Sequence, residues 1–124
     1  MRQDEHNAQV ALVQWCEIIS VSYPEVGRYI AIPNGGHRDI RTAVRLKREG
    51  VRSGVPDLFW PIPKHGFHGL FVEMKRDKGG TVTPEQKEWI AYLDSRGYSC
   101  VVCHGLREAI DAVSAYFEVM LSHT

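Results

Sequence analysis

Apolar residues recur along this chain with two periods, and each period marks a different kind of element. Between residues 5 and 20, Ala8, Leu12, Trp15, Cys16 and Ile19 form one stripe at helical spacing. The segment RYIAIPNGG (28–36) reads as a short strand running into a turn, because Pro33-Asn34-Gly35-Gly36 is strong punctuation. Ile40 to Glu49 predicts a basic helix closed by Gly50, with Ile40, Ala43 and Val44 packing inward. VPDLFWPI predicts a short strand, PKHGFHG a turn, and LFVEMK the antiparallel return. Thr83-Pro84-Glu85-Gln86 opens a helix, with Thr83 as N-cap, Pro84 at the first helical position and Gln86 placed to complete a capping box. That helix is expected to run to Arg96 and stop at Gly97, and YSCVVCH follows as a strand. A last helix carries Leu106, Ala109, Ile110, Val113, Phe117 and Met120 on one side. The order α, β, α, β, β, α, β, α predicts a single mixed α/β domain over residues 1–124.

Charges interrupt the pattern inside LFVEMKR. Alternation puts Leu70, Val72 and Met74 on one face and Phe71, Glu73 and Lys75 on the other. A bare Glu-x-Lys is usually a surface ion pair of little energetic weight. Gly54-Val55-Pro56-Asp57 upstream changes the balance. Pro56 cannot donate a ladder hydrogen bond and belongs at a strand's start, so Asp57 can come beside Glu73 when the hairpin closes. Two carboxylates converging with a lysine make a hard-oxygen site for Mg²⁺ or Mn²⁺, with Lys75 outside the ligand set. Such a cation offsets the charge crowding and polarises a phosphoryl oxygen, while Lys75 holds the attacking water or meets developing negative charge.

Bulk charge points to no partner, since 15 Lys plus Arg balance 15 Asp plus Glu. The distribution is more informative. Six basic residues (Arg38, Arg41, Arg45, Lys47, Arg48, Arg52) face only Asp39 and Glu49 between positions 38 and 52, an excess that can draw a polyanion. Arg41, Arg45 and Arg48 follow helical spacing as one guanidinium ridge suited to phosphates. Asn34, His37 and Arg38 in NGGHR, with Arg52, extend the candidate phosphate-facing set. The bland alternatives are a solvated charged face and a turn that needs glycine. The sequence shows no signal peptide and no apolar run of membrane-spanning length, and its three cysteines fit reduced thiols in a cytoplasmic setting. Cys100-Val101-Val102-Cys103-His104 formally matches a haem attachment motif. On a strand the two cysteines point to opposite faces, so neither haem nor zinc is expected. His65 and His68 read as loop residues.

GVPDLFW, GLFVEMKR and TPEQKEWIAYLDSRGY together resemble the virus-type replication-repair nuclease (VRR-NUC) domains of the PD-(D/E)xK superfamily. The likeness extends from Glu5 to the last helix and includes Glu5 with Gln9, PNGG and LKREGVRSGVPD. It implies a restriction-endonuclease-like fold, a mixed central sheet flanked by helices. It implies Asp57 and Glu73 as metal ligands, with the Met74 carbonyl, and Lys75 as catalytic lysine. It also implies a metal-dependent endonuclease leaving 5′-phosphate and 3′-hydroxyl ends on branched or four-way-junction DNA. Stand-alone members, viral and bacterial, suggest a homodimer. The resemblance further suggests that Gln86, aligned with Trp89, Ile90 and Leu93, orients substrate or water; helix capping is the alternative. Glu5 lies within roughly 40° of the first helix's apolar stripe and Glu17 about 120° away, so Glu5 is the candidate helix-borne carboxylate for a second metal. The competing readings are a non-catalytic DNA-binding module of this fold and a sequence-specific restriction-type enzyme.

Overall fold

The computed structural model describes residues 3–33 and 39–120. Helix α1 (Gln3–Ile19) leads through a 3₁₀ turn (Pro24–Gly27) to the short strand β1 (Ile30–Ala31). Then come α2 (Ile40–Arg48), β2 (Leu58–Trp60), β3 (Leu70–Lys75), α3 (Pro84–Ser95), β4 (Ser99–His104) and α4 (Leu106–Phe117). This is the order read from the sequence, with the 3₁₀ turn added. The strands form one sheet in the order β1-β2-β3-β4. Its first two pairings are antiparallel, and β3 and β4 run parallel with α3 as the crossover between them.

One sheet face carries the main core. Leu58, Trp60, Val72, Met74 and Cys103 pack there with Leu12 and Cys16 of α1 and Ala109, Val113 and Phe117 of α4. The Trp60 indole N–H donates to the Val26 carbonyl at 2.8 Å, so its one polar group is satisfied in a dry interior. Removing such a side chain typically costs about 3–5 kcal/mol. The opposite face holds Phe59 stacked on Phe71 at 4.2 Å between ring centroids, with Tyr98 edge-on to both. Cys100 pairs with Phe71 in the β3–β4 register while Cys103 sits in the main core, so the two cysteines do face opposite ways.

The first strand is short, as expected, and pairs over only two residues, because its partner β2 is itself three residues long and begins just after Pro56, which has no N–H to donate. Two expectations are corrected. Met120 is not on the last helix and is 84% exposed. Glu118 takes a left-handed conformation (φ 55°) that ends α4, and Val119 packs into the core instead. Ile40 and Val44 do not pack inward: they are 81% and 53% exposed, while Thr42, Ala43 and Leu46 are half-buried. No residue of α2 is fully buried.

Candidate active site

Register brings the two acids together. Leu58 pairs with Val72 across the β2–β3 hairpin, and continuing that antiparallel register by one residue sets Asp57 opposite Glu73. The Met74 N–H donates to Asp57 Oδ2 at 2.7 Å, and the Asp57 carbonyl accepts from the Ile32 N–H at 2.8 Å, tying the acid to β3 and to the chain beyond β1. Upstream, Gly54 has φ +93° and lies against α3. A Cβ there would come 2.8 Å from the Glu85 backbone, so glycine alone suits this approach to the site.

Asp57 and Glu73 are each 2% exposed and Lys75 is 6% exposed. Lys75 Nζ lies 3.7 Å from Glu73 Oε2, and the same oxygen accepts from Gln86 Nε2 at 3.1 Å. Gln86 also accepts the Thr83 N–H on its Oε1 at 2.8 Å, while its own N–H donates to the Thr83 hydroxyl. Capping and site anchoring therefore coexist in one side chain, the first made at the start of α3 and the second at its inner face.

Burial dominates the electrostatics. Desolvation, followed by the Asp57 charge, pushes Glu73 up to about 8 against the opposing pull of Lys75. Desolvation also raises Asp57, opposed by the Met74 N–H and by Lys75. The negative charge of Glu5 raises both. Glu73 Oε1 is buried and receives no N–H or hydroxyl, while a side-chain hydrogen bond between the two acids further raises Glu73 and lowers Asp57. Two crowded, buried carboxylates held in this way are what a hard divalent cation would relieve, so the residues fit Mg²⁺ or Mn²⁺. Among the described residues no three His, Cys, Asp or Glu side chains converge as a ligand group. A site of so few carboxylates suits Mg²⁺, which keeps several waters and bonds to substrate phosphate.

The remaining expected residues divide. Glu5 is half-buried and acts on the pair through its charge, without forming a three-acid cluster with it. Glu17 is exposed and accepts from the Tyr29 hydroxyl at 2.6 Å, a pairing that leaves it out of the site. Arg41, Arg45 and Arg48 are exposed on α2 and line one hollow with Ile40 and Val44; Arg45 also pairs with Glu49 at 3.8 Å. Arg52 is exposed nearby. Asn34, His37 and Arg38 lie outside the described residues. Sequence reasoning missed the Met74 N–H as the group that fixes Asp57. The available signal was the strand-end position of Asp57, which leaves its carboxylate facing the neighbouring strand's backbone.

A family model described as the VRR-NUC domain matches residues 3–107. The chain is also similar to a solved structure described as a VRR_NUC domain protein, at 29% identity and a TM-score of 0.80, covering 96% of this chain and 92% of that one. Among curated proteins, none matches.

Proposed function

Because this chain belongs to the VRR-NUC family, a nuclease-type family, we propose that it is a Mg²⁺- or Mn²⁺-dependent endonuclease that hydrolyses DNA phosphodiester bonds. The observation that carries this reading is the buried Asp57–Glu73 pair with Lys75 beside it. Asp57, Glu73 and the Met74 carbonyl would hold the cation. When bound, it supplies charge neutralisation, polarisation of the phosphoryl oxygen and a lowered pKa for water. Gln86 holds Glu73 Oε2, which fixes the carboxylate. Lys75 orients the attacking water and meets negative charge developing on the phosphoryl oxygens. Glu5, on α1, adds negative charge to the acid pair and is the candidate for an outer or second cation contact.

Arg41, Arg45, Arg48 and Arg52 engage the DNA backbone, with Asn34, His37 and Arg38 extending that surface. Backbone contacts carry no sequence information, and the family resemblance suggests branched or four-way-junction DNA as the substrate. A homodimer would present two such acid pairs to a junction. The expected setting is the cytoplasm; among the described residues no helix is long and apolar enough to cross a membrane. A non-catalytic module of the same fold is disfavoured because Asp57, Glu73 and Lys75 are all present.

The test incubates labelled four-way junction and linear duplex with Mg²⁺ or Mn²⁺. Faster cutting of the junction, with products that a ligase can reseal through their 5′-phosphates, supports the reading. Binding of both DNAs with no cutting of either would favour the module. A strictly monomeric mass in solution would remove the dimer.

A further inference from the structure

A separate hollow lies between α2, the loop that follows it and α3. It is open-sided, about 620 Å³, and its lining includes Ala43, Leu46, Lys47, Val51, Arg52 and Trp89. Both walls lead to the site. The loop carrying Val51 and Arg52 runs directly into Gly54-Val55-Pro56-Asp57, and Gly54 touches the first turn of α3. Trp89 stands one turn along α3 from Gln86, the residue bonded to Glu73. The hollow exists because α2 stands off the body, with none of its residues fully buried.

Its chemistry is selective. Ala43, Leu46, Val51 and Trp89 are half-buried apolar surface, Lys47 and Arg52 are exposed cations, and among the described residues no acidic side chain joins the lining. A flat aromatic ring flanked by phosphate satisfies both features at once: the ring stacks on an indole and the phosphates meet the cations. Bases inside a duplex are already stacked on their neighbours and cannot present a face. An apolar peptide side chain would leave the two cations unused.

We propose that this hollow receives an unpaired nucleotide of the DNA substrate, its base stacked on Trp89 and its flanking phosphates held by Lys47 and Arg52. The proposal rests on the nuclease reading and deepens it by naming what the enzyme recognises. Because every base has a π-face, such a contact selects DNA with an unpaired nucleotide near the scissile bond without reading sequence.

The experiment uses the full chain with Ca²⁺ and a junction carrying one unpaired 2-aminopurine. Wild type is expected to quench the probe on binding. Replacing that nucleotide by an abasic sugar, which keeps the phosphate, should weaken binding roughly 5- to 150-fold, the range of one base–aromatic stack. Trp89→Leu should lose both the quenching and the abasic penalty, and Trp89→Phe should keep both. Equal wild-type affinity for intact and abasic DNA, or quenching retained by Trp89→Leu, would overturn the proposal. The abasic comparison is made on the wild-type protein, so it stands whatever the variants' stability. Cutting that persists without an abasic penalty removes the hollow alone, whereas loss of the nuclease reading would show as no cutting of any DNA in Mn²⁺.

Discussion

Gln86 Nε2 sits 3.1 Å from Glu73 Oε2 while Gln86 Oε1 receives the Thr83 N–H at 2.8 Å, so one side chain joins the start of α3 to the acid pair. The two bonds can be separated by mutation. Thr83→Ala removes the cap and should lower stability by about 0.5–2 kcal/mol while leaving cutting unchanged. Gln86→Ala should show a similar stability loss and, in addition, a roughly 10- to 100-fold slower cut, the usual range for losing a residue that orients a metal ligand. Denaturant melts paired with single-turnover rates check both.

The buried acids make stability depend on pH in an unusual direction. Glu73 is raised from 4.5 to about 8, so between those values it holds a proton in the folded chain and loses it in the unfolded one. Folding then takes up protons, and the stabilising contribution is complete below pH 4.5 and lost as pH rises through about 8. Metal-free protein should therefore melt at lower temperature at pH 8 than at pH 5. Mn²⁺, which favours the ionised pair, should raise the melting temperature more at pH 8 than at pH 5.

Asp57→Asn tests the crowding itself. Asparagine keeps an acceptor for the Met74 N–H but removes the charge that faces Glu73. In EDTA at pH 8 the variant should melt above wild type, as is common when buried charges are replaced by neutral groups of the same shape. Added Mn²⁺ should then shift its melting temperature little, and cutting should be lost.

The guanidinium ridge on α2 gives a separate signature. Each Ala substitution at Arg41, Arg45 or Arg48 that removes a phosphate contact should lower the salt slope of DNA binding by about one unit. The effect should be alike on every DNA sequence. Unchanged slopes would mean these arginines are only solvated.

The parts of this molecule that could be read from its sequence are those fixed by local geometry. The Thr83-Pro84-Glu85-Gln86 capping box and the odd-residue face carrying Phe71, Glu73 and Lys75 both follow from spacing alone. The meeting of Asp57 with Glu73 needed one step more, the hairpin register, which a strand-opening Pro56 constrained. What escaped depends on neighbours far along the chain. Ile40 and Val44 look like an inward stripe, yet Thr42, Ala43 and Leu46 face the body, because the inward side of a helix is set by what it meets. Met120 continues the periodicity of α4, but the chain has already turned at Glu118. The hollow under Trp89 is likewise invisible in the sequence, since its walls come from α2, the following loop and α3.

The most direct measurement is the single-turnover cutting rate of junction DNA in Mn²⁺ by wild type and by Lys75→Ala, with folding of both confirmed. The buried Asp57–Glu73 pair with Lys75 predicts cutting that vanishes with EDTA and falls by at least about 10²-fold in Lys75→Ala, the effect of losing one preorganised charge-stabilising donor. Equal rates from the two proteins, or cutting that survives metal removal, would contradict the assignment of Asp57, Glu73 and Lys75 as the reacting centre.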